Sequence, residues 1–271
     1  MPRAEILRII DVHGEPQPPS ERGENGQSAD SAIHEAVITW RIPGDNVALA
    51  LRKPKPTIAL EHADLPELLD ARLVMLRDPA SPQARSYRAI RHRLLSTPEI
   101  RVVAVTSARP GDGKTTCAAN LALALAEDTM MRVLLVDANL PRPGLGHLFG
   151  FAPSDSLIEQ IARFLDLFPP YPVASIGGTR LHVAALPEGP YQGRLERSLL
   201  EPALSELRQA YDYIVVVAAA VLESADADIV GECADAAILV ARRGVSRRSD
   251  LRRALTQLAP APVLGTVLVD A

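Results

Sequence analysis

The feature that most constrains this chain is an apolar run over 102–106 that ends in Ser107-Ala108-Arg109-Pro110-Gly111-Asp112-Gly113-Lys114-Thr115-Thr116 and passes straight into an Ala/Leu-rich stretch reaching residue 126. A continuous apolar run suits a strand covered on both faces, and the Ala/Leu stretch suits a helix. Gly111 and Gly113 let the backbone turn its N–H groups inward around an anion, with no side chain in the way. The helix that starts near Lys114 points its positive end at the same anion. Lys114 is placed to reach the outer phosphates, and the Thr115 hydroxyl to complete a Mg²⁺ shell. Strand, loop and helix in this order are the context a phosphate-binding P-loop requires, with Ala108 in the place of the usual first glycine. Lys53, Lys55 and Lys114 are the only lysines; every other basic side chain is arginine. Keeping a lysine in the loop fits a tight site, where a compact point charge serves and a planar fork does not.

Around this loop, apolar runs alternate with helical patterns. Strands are expected at 102–106, 133–136, 181–185, 213–217, 237–240 and 265–269, and helices at 83–95, 115–126, 156–168, 195–210 and 246–258. The fold class is therefore α/β: a doubly wound, mostly parallel sheet of the P-loop kind, with an irregular N-terminal extension. Residues 1–67 are expected to form that partly disordered extension, and 68–271 the P-loop domain with its lead-in helix over 83–95. Glu15 to Asp30 has almost nothing to bury, whereas 36–42 has the makings of a short strand.

Composition closes off several function classes. A chain of 271 residues, 47% hydrophobic with net charge −4, fits one large domain plus an appendage and gives no support for nucleic-acid binding. The longest apolar run, 214–222, is far short of the roughly 20 residues a membrane helix needs. The first residues lead into no signal-peptide core, so a cytoplasmic location is expected. Two cysteines argue against a disulfide framework or a cysteine-rich metal site, and Cys117 is read as packing. The six histidines show no spacing that indicates zinc. Arg242, Arg243, Arg247, Arg248, Arg252 and Arg253 read as a solvated basic face.

The second expected strand delivers Asp137, followed by Ala138-Asn139-Leu140-Pro141-Arg142-Pro143. A carboxylate at the end of the neighbouring strand is placed to hold a metal-bound water or orient an attacking group. Together with Leu69-Asp70-Ala71-Arg72-Leu73-Val74, Asp78-Pro79-Ala80-Ser81-Pro82 and Tyr87-Arg88-Ala89-Ile90-Arg91 before the loop, and Tyr211-Asp212-Tyr213-Ile214-Val215-Val216, Ala225-Asp226-Ala227 and Val263-Leu264-Gly265-Thr266-Val267-Leu268 after it, this segment resembles bacterial tyrosine kinases of capsule and exopolysaccharide synthesis (the CpsD/CapB type). These are relatives of the MinD/ParA ATPases. The resemblance covers roughly 68–271. It implies ATP and Mg²⁺ as cofactors, and phosphoryl transfer from ATP to tyrosine. By resemblance Lys114 and Asp137 carry the chemistry, Thr115 and Asp137 hold the metal, and Pro110, Gly111, Asp112, Gly113, Lys114, Thr115, Thr116 and Arg142 bind the nucleotide. It also implies a membrane adaptor of polysaccharide export, hence recruitment to the inner face of the membrane.

The chain departs from that family at four places. The second carboxylate of the Asp137 motif falls on Asn139. The strand that normally ends in Asp and prolines reads Val217-Ala218-Ala219-Ala220. The family's self-association motif E-x-x-R-x-x-R reads Arg85-x-x-Arg88-x-x-Arg91, replacing an acidic partner with a third positive charge. The five tyrosines (Tyr87, Tyr171, Tyr191, Tyr211, Tyr213) are scattered. Losing two carboxylates is expected to slow phosphoryl transfer by orders of magnitude and to affect nucleotide affinity less. A replacement carboxylate is sought at Asp226 or Asp228. Two alternatives to a working kinase follow: a catalytically weak regulator or scaffold of polysaccharide export, and a MinD/ParA-like switch ATPase. The loop lacks that last group's early second lysine.

Overall fold

The computed structural model describes residues 8–10, 56–162, 170–187, 194–258 and 261–270. The chain divides into two compact units, 1–12 with 56–271, and 13–55. The second unit lies outside the described residues, as do the expected strand at 36–42 and the end of the expected 156–168 helix.

In chain order the described elements are β1 (Arg8–Ile10), β2 (Ile58–Ala63), α1 (Val74–Arg77), α2 (Pro82–Leu95), β3 (Val102–Ser107), α3 (Lys114–Ala126), β4 (Val133–Ala138), α4 (Leu145–Phe149) and α5 (Leu157–Ala162). They continue with β5 (Tyr171–Ile176), β6 (Leu181–Ala184), α6 (Arg197–Leu207), β7 (Tyr213–Ala218), α7 (Asp226–Cys233), β8 (Ala236–Arg242), α8 (Arg248–Gln257) and β9 (Val263–Val269). The strands form one sheet in the order β1-β9-β8-β3-β7-β4-β6-β5-β2. From β9 to β6 every pairing is parallel; β1 on β9 and β5 on β6 are antiparallel.

Alternation explains why the central strands read as unbroken apolar runs. Val103 and Val105 face one layer with Leu121 and Leu125 of α3, while Val102 and Ala104 face the other with Leu200 and Leu204 of α6. Both faces are covered, so neither parity of the strand can be polar. The edge strands were harder to read. β5 contains Pro172, and its pairing with β6 involves only Ala174 and Ser175, so the proline sits where no ladder bond to β6 is lost. β2, upstream of the expected 67/68 boundary, adds to that edge in parallel with β5. One expectation needs correcting. β4 is not the immediate neighbour of the P-loop strand, because the β3–α3–β4 crossover leaves a slot that β7 fills.

The lead-in helix α2 begins as expected, with Ser81 accepting the Ala84 amide at 3.1 Å and Pro82 at its first position. Its Ala84, Tyr87, Ile90 and Leu94 are buried, three or four residues apart, on the α3 side of the sheet. On the flank of that stripe, Arg88 forks onto Glu127 just past the end of α3, with Nε to Oε2 at 2.9 Å. Arg91 donates to Glu127 Oε2 and to the Ala124 carbonyl, both at 2.9 Å. Arg85 donates to the Ala80 carbonyl at 2.6 Å. Two of the three arginines of that motif, Arg88 and Arg91, thus share the one carboxylate of Glu127 within the chain.

Glu127 is the shared anchor of this contact. Glu127→Gln is expected to cost about 1 kcal/mol, a melting-temperature loss of about 2–4 °C by thermal denaturation at pH 7. The Arg88 guanidinium holds the Glu127 carboxyl below its ordinary value. Its contribution is therefore complete above the unfolded value of about 4.3 and is lost as pH falls through the lowered folded value. The gap between wild type and variant should accordingly narrow in melts below about pH 4.3.

Candidate functional site

The P-loop leaves β3 in the middle of the sheet and closes on the first turn of α3. Gly111 and Gly113 have φ of +85° and +95°. A Cβ at Gly111 would meet nothing within 4 Å, and one at Gly113 only Val269 at 3.9 Å. Glycine is needed there for its left-handed backbone rather than for space. Ser107 Oγ donates to the Arg109 carbonyl at 2.7 Å, and the Arg109 amide to Asp112 Oδ2 at 3.1 Å. Two contacts fasten the loop to the β8–α8 turn: Ser246 Oγ donates to Asp112 Oδ1 at 2.7 Å, and Arg109 Nε to Asp250 Oδ2 at 2.6 Å. Asp112 is buried in this role, with its carboxylate engaged by the loop and the β8–α8 turn.

A cavity of about 260 Å³ is lined by the loop from Gly111 to Thr116 together with Arg72, Arg242, Val269 and Asp270. Pro110 instead lines an adjoining cavity of about 410 Å³ with Arg109, Val245 and Arg247. Arg72 is brought to the first cavity by Asn120, fully buried in α3. Asn120 Nδ2 donates to the Arg72 carbonyl at 2.7 Å and to the Thr116 carbonyl at 2.9 Å, and its Oδ1 accepts the Met75 amide at 3.1 Å. Arg72 and Arg242 were not singled out as site residues from sequence. Packing of the lead-in segment against α3 places Arg72 here, and the end of β8, paired with Val269 of β9, places Arg242.

Lys114 is buried, and burial pulls its ammonium below the ordinary lysine value, while the Asp137 and Glu223 carboxylates oppose that shift. Asp137 is also buried, at the end of β4. It accepts the amides of Asn139 at 3.1 Å, Gly144 at 2.9 Å and Leu145 at 3.0 Å. Burial pushes its carboxyl upward, and these three amides and Lys114 pull it back. Five non-proline residues lie between Asn139 and Leu145. Three of their amides end on Asp137, and a fourth, that of Arg142, ends on the Asn139 carbonyl at 3.0 Å. Asn139 Nδ2 closes the same turn onto the Arg142 carbonyl, leaving its Oδ1 buried with no partner. Arg142 Nη2 pairs with Glu223 Oε1 at 2.8 Å.

Beside Asp137, in register on β7, stands Val217, fully buried, with Val105 of β3 on its other side. The replacement carboxylates sought at Asp226 and Asp228 are engaged elsewhere. Asp226 Oδ2 accepts from Ser224 Oγ at 2.9 Å, and Asp228 Oδ2 from Gln257 Nε2 at 2.9 Å. The first carboxylate after β7, Glu223, pairs with Arg142 and its charge pulls the Lys114 ammonium upward; its position in sequence was the signal that could have found it. Cys117 is fully buried, and burial pushes its thiol up to about 12, in keeping with packing.

No protein-family model matches the chain. The succinoglycan biosynthesis transport protein ExoP of Rhizobium meliloti (strain 1021) is 32% identical over 208 residues, which cover 72% of this chain and 26% of ExoP. Tyrosine-protein kinase YwqD of Bacillus subtilis (strain 168) is 28% identical over 205 residues, 72% of this chain and 84% of YwqD. The match thus spans about a quarter of ExoP and most of YwqD. The kinase domain of Escherichia coli tyrosine kinase ETK shares the fold with TM-score 0.61 and 24% identity, over 72% of this chain and 78% of that one. The cell division ATPase MinD of Pyrococcus furiosus shares it with TM-score 0.51 and 24% identity, over 61% of this chain and 70% of that one. By sequence the P-loop domain of this chain is similar to bacterial tyrosine-protein kinases and to a succinoglycan biosynthesis transport protein, and it shares its fold with the ETK kinase domain and with MinD.

Proposed function

We propose that this chain binds ATP·Mg²⁺ at its P-loop and acts in the control of exopolysaccharide or capsule synthesis as a tyrosine-kinase-type domain whose phosphoryl transfer is slow. The observation that carries the slow transfer is Val217, an apolar side chain in register with Asp137 where the related kinases place an aspartate. Gly111, Gly113 and the first amides of α3 cradle the phosphates, Lys114 neutralises the outer ones, and Thr116 completes the cradle. The residues present fit Mg²⁺: Thr115 lines the cavity, and the orphaned Asn139 Oδ1 is a buried acceptor suited to a metal-bound water. Thr115 would hold the ion directly and Asp137 through water, using the lone pairs its three amides leave over. When bound, the ion offsets charge on the β- and γ-phosphates. Asn139 is neutral and takes no proton from an attacking hydroxyl, and Asp137 is already committed to the 139–145 turn.

A regulator that signals by holding ATP is the second reading, favoured by the same apolar end of β7. A MinD-like switch is less well supported, since the loop's Arg109 is tied to Asp250. Among the described residues no helix is long and apolar enough to cross a membrane. A membrane adaptor of polysaccharide export, bringing a cytoplasmic chain to the inner face of the membrane, fits that fact and the transport role in ExoP's name. Self-association through 85–91 gains no support, because Arg88 and Arg91 are already paired with Glu127.

The test is a single-turnover assay with protein in excess over γ-labelled ATP and Mg²⁺, beside Lys114→Ala. Expected is tight retention of intact ATP, lost with Lys114→Ala, and label reaching tyrosine at least about a hundredfold below the 1–100 s⁻¹ usual for kinases. Transfer within a second overturns the slow-transfer reading; no nucleotide bound overturns the whole. The role given to Asp137 has its own check. Asp137→Asn turns a donor toward amides that need an acceptor, so urea unfolding of the nucleotide-free protein should show a loss of about 2 kcal/mol.

A further inference from the structure

Among the described residues, Glu223 is an acidic side chain outside the Asp137 motif and the P-loop whose charge bears on Lys114, and it stands on the turn that follows β7. Its place is fixed by backbone rather than by chance of rotamer. After β7 the chain turns back against the last residues of β3. Thr106 Oγ1 donates to the Ala219 carbonyl at 2.6 Å, Val221 N to the Ser107 carbonyl at 2.9 Å, and Leu222 N to the Ala108 carbonyl at 3.2 Å. The Glu223 amide then closes onto the Ala220 carbonyl at 2.9 Å. Val221, fully buried against Ala108, locks the same turn from below. The carboxylate that results is only partly exposed and is held at 2.8 Å by Arg142, from the turn that Asp137 organises.

We infer that Glu223 supplies the carboxylate that β7 lacks, delivering it from the turn after the strand to a water of the Mg²⁺ shell at the P-loop. The inference rests on the nucleotide-binding reading above. Where the related kinases use a short aspartate on the strand itself, this chain uses a longer side chain from six residues further on. Val217, fully buried between Val105 and Asp137, is a hydrocarbon side chain and offers no oxygen to a hydrated metal. The turn beyond it opens toward solvent, where a carboxylate costs little to keep ionised. Arg142 then has a positioning role: it aims the Glu223 carboxylate without touching the metal. The orphaned Asn139 Oδ1, on the turn closed by Arg142, is a second acceptor that such a hydrated ion would satisfy.

Calorimetric titration of the full chain with the non-hydrolysable analogue AMP-PNP, in Mg²⁺ and in EDTA, tests this without reference to activity. Wild type should bind more tightly in Mg²⁺. Glu223→Gln should lose about tenfold or more of that enhancement while its affinity in EDTA stays the same or rises. Arg142→Ala, which leaves the carboxylate present but no longer aimed, should lose a smaller part of the enhancement than Glu223→Gln. If Glu223→Gln retains the full enhancement, or if Arg142→Ala loses as much as Glu223→Gln, the inference fails and nucleotide binding stands. An enhancement missing already in wild type has the same meaning. If wild type binds no AMP-PNP in either condition, both readings fall together. Matching melting curves for the variants separate these outcomes from misfolding.

Discussion

The Asp137 carboxylate stands at the end of β4 with three backbone amides converging on it, from Asn139, Gly144 and Leu145. A segment with prolines at 141 and 143 has few donors to offer, and it spends most of them on this one group. The turn that results places Arg142 against Glu223, sets Asn139 under the same loop, and starts α4. Burial disfavours the ionised carboxylate, and the amides and Lys114 favour it. Replacing the carboxyl by a group without acceptor oxygens would leave several buried donors without an acceptor. Much of the geometry on this side of the P-loop follows from that balance.

A second chain of contacts approaches the loop from behind. Glu127 fixes α2 to the end of α3 through Arg88 and Arg91, and Asn120 ties the segment before α2 to the middle of α3. The same Asn120 amide holds the Thr116 carbonyl, one helical turn from the phosphate cradle. The β8–α8 turn completes the enclosure through Ser246 and Asp250. The P-loop is therefore braced from the lead-in segment, from α8 and from its own strand. Such bracing keeps anion-binding amides oriented before any ligand arrives, which lowers the ordering cost of binding.

Binding and chemistry part company at this site. Gly111, Gly113, Lys114 and the start of α3, the elements proposed to hold phosphate, have the form that task requires. The elements that a transferring kinase adds, on β7 and at residue 139, are replaced by an apolar strand end and an amide. On the proposed reading, binding energy from the cradle would survive those replacements, whereas the charge-dependent part of the barrier would not.

The sequence by itself determined the loop, its strand and helix, and the central parallel sheet. These are local: glycines needing positive φ, an Ala/Leu helix, and apolar runs long enough for strands covered on both faces. It also named Lys114, Thr115, Asp137 and the vacancies at Asn139 and Val217, because each sits at a fixed spacing from a recognisable element. Which charges meet around those vacancies follows from long-range contacts. That β7 lies between β3 and β4, that Arg88 and Arg91 share Glu127, and that Glu223 pairs with Arg142 while Asp226 and Asp228 are held by Ser224 and Gln257 depend on strand order and on one pinned turn. Strand order is settled by how two covered faces pack, and a turn by hydrogen bonds to residues more than a hundred positions away, as from Val221 to Ser107. Neither leaves a periodic mark in the chain.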